Sequence, residues 1–399
     1  MIKLKIKKNV CVVIPRNLPM PAIKGGAIET LLQDIIEENE INYNCNLNII
    51  SIYNKKAAKQ GRKYKHTNFI YYSDKESDNL KFFLFRVFRK LFNWQITYLE
   101  PYEQFVRHYV LNNNIDVFVN ESADFNAFKK ISKKIGKNNC YAHLHSQFPS
   151  NKRIDDTFGT IISVSDYIKN KWLQTSNINP ENVKVLRNFA DETLFSKKFS
   201  DTQKNSLRKK WGFTKSDFVL LFCGRIVPQK GVLELIKAVN SIQNKNIKLL
   251  IVGSPNFGDG SSSPYQKMVN KEVEKSHEKI TFTGFVGHNE LYKFYSISDC
   301  VVVPSTYEDP APLVPIEAMM SGKALIVTNS GGIPEYVNNE CAIIVNKEKD
   351  IGKQIREAIL KIYKDPILKQ SMEKASLQNS VNYTKEKYYY NYLKILKIL

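Results

Sequence analysis

The segment Leu220 to Gly231 ends a buried-looking apolar run on Gly224 and then presents Arg225 and Lys230 in quick succession. In an open α/β sheet, ligands gather at the carboxyl ends of the strands, which is where these two cations would stand. A guanidinium fork and a mobile ammonium suit a diphosphate, and both would stabilise charge growing on it as a bond to it breaks. Taken alone, the spacing also fits two surface cations beside a loop. Val303 to Gly322 is more specific: an apolar run, a proline-rich loop with the acidic pair Glu308 and Asp309, then a helical stretch with Glu317 near its start. Fixed carboxylates accept hydrogen bonds from sugar and ribose hydroxyls. By itself, Glu317 fits equally a carboxylate favoured by the positive end of a helix.

In the first half, Lys24-Gly25-Gly26-Ala27 joins an apolar run to a helix-like stretch. Glycines there allow close backbone approach to a phosphate, and the helix start adds exposed N–H groups. A plain glycine turn is the competing reading. The dinucleotide fingerprint G-x-G-x-x-G does not occur, which argues against a nicotinamide-dependent dehydrogenase. Tyr141 to Ser146 carries His143 and His145 at the end of another apolar run, and either histidine on its own fits a satisfied core residue.

These residues need strand ends to hold them. Apolar runs at Val10 to Pro15, Leu47 to Tyr53, Val117 to Asn120, Cys140 to His145 and Thr160 to Val164 alternate with amphipathic stretches, which predicts a parallel sheet covered by helices. After a polar stretch the pattern repeats at Phe218 to Cys223, Lys248 to Gly253, Ile280 to Phe282, Cys300 to Pro304, Ala324 to Val327 and Ala342 to Val345. The fold class is therefore α/β with two Rossmann-like domains. The expected division is 1–195, 196–382 and a terminal helix over 383–399 that packs back on the first domain.

At 399 residues the chain is long enough for two hydrophobic cores. No apolar run is long enough to span a bilayer, and the amino terminus lacks the apolar core of a signal peptide, so a cytoplasmic protein is expected. The six cysteines lie far apart with no C-x-x-C pair and read as small hydrophobes in a reducing compartment. The net charge of +20 suits anionic partners such as nucleotide phosphates or acidic headgroups, without choosing among them. Residues 81–94, apolar with Lys81, Arg86, Arg89 and Lys90, fit either an anionic membrane surface or a core helix. The charge is spread out and no nucleic-acid motif occurs, so no nucleic-acid partner is expected. With no Asp-x-Asp pair and no His or Cys cluster at ligand spacing, no metal and no further cofactor are expected.

The chain resembles the family-4 retaining glycosyltransferases of the GT-B fold. The likeness rests on Gly25-Gly26, Val164-Ser165, Asn188 to Asp191, Gly224-Arg225, Lys230-Gly231, Val252-Gly253, Gly284-Phe285, Pro304-Ser305, Glu317-Ala318-Met319 and Gly331 to Glu335, all collinear. Asp309 and Glu317 stand at the spacing of the family's two acidic residues. The resemblance implies two parallel sheets facing a central cleft. It also implies donor binding by Arg225, Lys230, Gly25, Gly26 and Gly253, with Glu317 on the ribose and Asp309 on the donor sugar. The amides of the loop ending at Leu313 and Val314 would help hold that sugar. Asp309, Pro310, Ala311 and Pro312 depart from the usual pattern: the acid is shorter, and Pro312 offers no N–H. Glu308 is a candidate substitute for the longer acid. In the first domain His145 best matches the histidine that the family places near the reacting sugar, and His143 is expected to point the other way and to be structural.

The implied activity is transfer of a hexose or N-acetylhexosamine from a nucleotide-diphosphate sugar, UDP first among them, to a glycan or lipid-linked acceptor of a bacterial surface polysaccharide. The alternatives are a silent GT-B subunit that binds a partner, and a phosphorylase or sucrose-synthase-like enzyme on the same fold.

Overall fold

A computed structural model describes residues 7–24, 26–73, 100–254, 264–276 and 278–399. It separates into two units, one formed by Met1–Leu186 with Tyr388–Leu399 and the other by Arg187–Lys387. Each is built around one parallel sheet.

In the first unit the strands are β1 (Asn9–Val13), β2 (Asn46–Ile52), β3 (Thr67–Tyr72), β4 (Val117–Glu121), β5 (Cys140–Leu144), β6 (Thr160–Ser163) and β7 (Val183–Val185). They lie in the order β3-β2-β1-β4-β5-β6-β7. The second unit has β8 (Phe218–Cys223), β9 (Ile247–Val252), β10 (Ile280–Gly284), β11 (Cys300–Val303), β12 (Ala324–Thr328) and β13 (Ala342–Val345). Their order is β10-β9-β8-β11-β12-β13. A parallel sheet with helices on both faces buries both sides of its central strands, so β8 and β11 are continuous apolar runs and β1 is one after Asn9, rather than alternating ones. The first unit's edge strands, β3 and β7, are the two that the search for apolar runs does not anticipate. Thr67–Tyr72 opens on two polar residues and is only partly buried, and Val183–Val185 is three residues long with Lys184 at its centre.

The period of two shows in how β8 divides between two cores. Val219 and Leu221 join Val301, Val303, Leu325 and Val327 on one face, whereas Leu220 and Phe222 join Leu249, Ile251, Val302 and Ile326 on the other. Cutting one of these side chains back to alanine costs about 2–5 kcal/mol in a core that cannot collapse around the gap.

The division of the chain differs from the expected 196. Residues just after Leu186 already belong to the second unit. Arg187 pairs with Glu335 at 3.2 Å, the Asn188 amide donates to the Tyr336 hydroxyl, and Ala190 and Phe195 lie in the second unit's core. At the other end the chain joins the first unit at Tyr388, inside the helix Lys385–Ile395, rather than at 383. That helix buries Tyr388, Tyr389, Tyr392 and Leu393. Its Tyr389 hydroxyl donates to the Asn39 side chain at 3.0 Å. All six cysteines are free thiols, and five are buried. Among the described residues no helix is long and apolar enough to cross a membrane. Residues 81–94 and Gly25 lie outside the described residues.

Candidate functional site

In the second unit the polar side chains collect at the carboxyl ends of β8, β9 and β11. Backbone packing there is close enough to require glycine twice. Gly253, at φ +149, leaves β9 so near the Gly224 carbonyl oxygen that a Cβ would collide with it. Gly231, at φ +67, lies equally close to the Pro304 carbonyl oxygen, which lets the turn Pro228–Lys230 lie against the end of β11. Thr306 N–H donates to the Gln229 carbonyl at 3.0 Å and tightens the same seam.

That seam brings Lys230 to Asp309. The ammonium lies 2.5 Å from Asp309 Oδ2, and Asp309 is only 4% exposed. The Ser305 hydroxyl donates to the same oxygen at 3.2 Å. Lys230 also stands 5.5 Å from the Tyr307 ring centroid, within cation–π reach. Burial and the Asp309 charge push the Tyr307 hydroxyl up to about 12, against the opposing influence of Arg225. Arg225 is exposed, and its side chain pairs with none of the described residues. The arrangement is a cation held on a buried carboxylate beside a second cation open to solvent. An arriving diphosphate can compete for Lys230 and leave Asp309 to accept from a hydroxyl.

Glu308 takes different partners from Asp309. Its carboxylate is held by Lys347 at 2.5 Å and by the Gly331 amide at 2.5 Å, while Asp309 alone reaches Lys230. These bonds fix the loop, together with Gly332 N–H donating to the Asp309 carbonyl at 2.8 Å and Asn188 donating to that of Ala311 at 2.9 Å. Leu313 and Val314 close the loop and open the helix Val314–Met320, and both side chains pack against the core.

Glu317, in the first turn of that helix, is 2% exposed. Tyr295 donates its hydroxyl to Oε2 at 2.6 Å, and His288 Nε2 lies 2.8 Å from Oε1. The structure thus brings Arg225, Lys230 and Asp309 together. It places Glu317 in a network of its own, with His288 and Tyr295 between its oxygens and other groups. Neither partner was anticipated. The available signal was the turn Gly287-His288-Asn289-Glu290, which follows β10 just as other ligand-edge turns follow their strands.

In the first unit Gly26 precedes the helix Ala27–Asn42, and the Glu29 carboxylate folds back over it. Burial holds that carboxyl above its ordinary range. The helix start expected beside a phosphate therefore already carries an acidic group of the chain itself.

His145 follows β5, and its Nε2 lies 2.7 Å from Glu121 Oε2. His143 does not point the other way. Its Nδ1 is also 2.7 Å from Glu121 Oε2, and the two imidazole centroids are 4.1 Å apart. Side chains two positions apart on a strand share a face, and that is the error in the expectation. Glu121 ends β4, which pairs directly with β5 in parallel. Burial alone would raise this carboxyl, but the two imidazoles hold it well below the carboxylate range. Burial and the neighbouring His143 lower His145, against Glu121. A carboxylate and two imidazoles within ligand distance of one another also form a set that could hold a metal ion. The signal for it was the H-x-H pattern beside a strand ending in Glu, a spacing the sequence reading passed over.

Two Rossmann-like units, each a wholly parallel sheet with its polar groups at the strands' carboxyl ends, define the GT-B class of fold. Residues 203–379, all within the second unit, match the family described as glycosyl transferases group 1. The chain is 28% identical over 260 residues to the lipopolysaccharide 1,2-N-acetylglucosaminetransferase of Salmonella typhimurium, covering 63% of this chain and 66% of that protein. It is 26% identical over 368 residues to the putative glycosyltransferase YtcC of Bacillus subtilis, covering 90% of this chain and 84% of the other. The solved structure of Anabaena Alr3699/HepE in complex with UDP and glucose superposes with a TM-score of 0.75 at 18% identity, covering 98% of this chain and 99% of that one.

Proposed function

We propose that the protein is a retaining, metal-independent glycosyltransferase that uses a nucleotide-diphosphate sugar, UDP-linked, and transfers a hexose or N-acetylhexosamine to a glycan or lipid-linked acceptor in bacterial surface polysaccharide synthesis. It works in the cytoplasm, peripherally on an anionic membrane face. The observation that carries the reading is the Lys230–Asp309 pair beside exposed Arg225, at the strand ends of a group 1 glycosyltransferase domain. The UDP and glucose in the HepE complex and the lipopolysaccharide acceptor of the Salmonella relative support the choice of substrates.

Arg225 and Lys230 bind the diphosphate, with Gly253 offering backbone where it passes. Lys230 leaves Asp309 for phosphate, and Asp309 then accepts from a hydroxyl of the donor sugar. The bond from the anomeric carbon to the diphosphate oxygen breaks while the acceptor oxygen approaches the same face. The acceptor proton passes to the departing phosphate oxygen. His145 touches the reacting sugar, and Glu317 serves the ribose through its buried network. Each aimed cation supplies about 2.7–4 kcal/mol of transition-state stabilisation, by analogy with single donors in other preorganised sites. Arg225, Lys230 and Glu317 occurring together argue against a silent subunit.

The test is slow hydrolysis of radiolabelled sugar nucleotides by the purified chain in the presence of EDTA. We expect release from one UDP-sugar that is lost in Lys230→Ala. No release from any sugar nucleotide, or release that depends on added divalent ions, would count against the proposal.

A further inference from the structure

Glu121 in the first unit has a third partner, which the proposed reaction does not use. The Tyr392 hydroxyl, on the helix Lys385–Ile395, donates to Glu121 Oε1 at 3.3 Å, so the two carboxylate oxygens have separate partners. Glu121 is 3% exposed and Tyr392 is fully buried. The strand ends beneath them are tied as well. Ser122, at φ +61, donates its hydroxyl to the His143 carbonyl at 3.0 Å and accepts from the His145 amide at 3.3 Å.

We propose that Glu121 is the positioning residue for His145 and that Tyr392 holds Glu121, so that the last helix of the chain sets the orientation and tautomer of that imidazole. The proposal rests on the reading of His145 as the side chain at the reacting sugar. An ionised carboxylate only accepts hydrogen bonds, so a nitrogen 2.7 Å from it carries the proton. Nε2 of His145 is then the N–H, and Nδ1 keeps its lone pair for a sugar or acceptor hydroxyl. The carboxylate fixes the ring as in other oriented His–carboxylate pairs, so Nδ1 accepts from that hydroxyl and orients it, while the acceptor proton still passes to the departing phosphate oxygen. His143 sits at the same distance from Oε2, but neither of its ring nitrogens has a hydrogen-bond partner among the described residues, so the aligned contact belongs to His145.

A zinc ion is the competing occupant. Tetrahedral bonds of about 2.0–2.1 Å would hold the donor atoms about 3.3 Å apart. The observed 2.7 Å from Glu121 Oε2 to each imidazole is hydrogen-bond spacing.

The experiment uses the full chain labelled with 15N-histidine, with the His145 signals assigned by their loss in His145→Ala. Wild type is expected to show His145 protonated at Nε2 alone. In Glu121→Gln the tautomer mixes and the titration midpoint moves. In parallel, kcat falls on the order of 10²-fold, the scale for a misplaced orienting group, while the KM for the UDP-sugar stays within about twofold. Tyr392→Phe, which removes one oxygen and keeps the ring, should shift the same signals and the same midpoint by a smaller amount. It carries the test if Glu121→Gln does not fold. An unchanged tautomer and midpoint in both variants overturns the proposal, as does one equivalent of transition metal that copurifies with wild type and is lost in Glu121→Gln. If the tautomer shifts as expected but wild type transfers no sugar, Glu121 still positions His145 and the glycosyltransferase role of that histidine fails.

Discussion

Both units bury a glutamate at the carboxyl edge of their sheet and set a histidine and a tyrosine hydroxyl against it, yet they gather those groups from very different distances along the chain. In the second unit Glu317 meets Tyr295 and His288, 22 and 29 residues away. In the first, Glu121 meets His145 at a separation of 24 residues but Tyr392 at 271. The second cluster needs only one stretch of βα structure to fold. The first is complete only once the chain has returned to the first unit at Tyr388. Closing so long a loop adds little entropy beyond a moderate one, because the cost grows only logarithmically with length.

The comparison breaks most easily at the donor. If the second unit alone holds the diphosphate, Lys230→Ala should lower transfer about 10²–10³-fold and abolish the thermal stabilisation by UDP, whereas His145→Ala should leave that stabilisation intact. Equal loss of UDP stabilisation in both variants would erase the distinction between the units.

Next in size is Glu317→Leu, which leaves the buried Tyr295 hydroxyl without its acceptor. We expect a loss of about 2–3 kcal/mol in denaturant unfolding, the range for an orphaned buried group that had bonded a charged one. A smaller loss would mean that the second cluster is held by packing rather than by its carboxylate.

A third carboxyl sharpens the contrast, because it is buried in the first unit without such partners. Glu103 is 7% exposed, and its Oε2 has no hydrogen-bond partner among the described residues. Burial raises it to about 7, helped by Glu100 and Asp124 and opposed by its own backbone amide and Arg16. The unfolded chain gives up this proton near 4.5, so between 4.5 and about 7 the native state binds more protons and stability falls as pH rises. Glu103→Gln should therefore be more stable than wild type by about 1–3 kcal/mol at pH 8, with the gain vanishing below about pH 4.5. A gain that persists at pH 4 would place its origin in packing.

The smallest effect belongs to Tyr392→Phe. It should cost about 1 kcal/mol and speed amide exchange in the helix Lys385–Ile395, leaving exchange around Glu317 unchanged. Equal protection of that helix in both proteins would show that Leu393 and its apolar neighbours hold it without the hydroxyl.

Much of the architecture follows from local sequence. Runs such as Cys300–Val303 and Ala324–Thr328 are apolar throughout because a central parallel strand is buried on both faces, and this is legible without any partner. The places of Arg225, Lys230 and Asp309 are legible for a related reason: each lies in the segment that follows such a strand, where the fold class itself puts ligands, and Glu317 opens the helix after it. The edge strands β3 and β7 are less so, since β3 opens on polar Thr67 and Asn68 and is only partly buried, and β7 is three residues long with Lys184 at its centre.

Only tertiary structure decides which partner each polar group takes. Nothing near Glu308 announces that Lys347 and Gly331 claim it while Lys230 goes to Asp309, and nothing near Glu121 announces Tyr392. Apolar patterning repeats along a chain, so a short window reveals it. A hydrogen bond depends on position and angle to within fractions of an ångström, and only the packed sheets and helices set these.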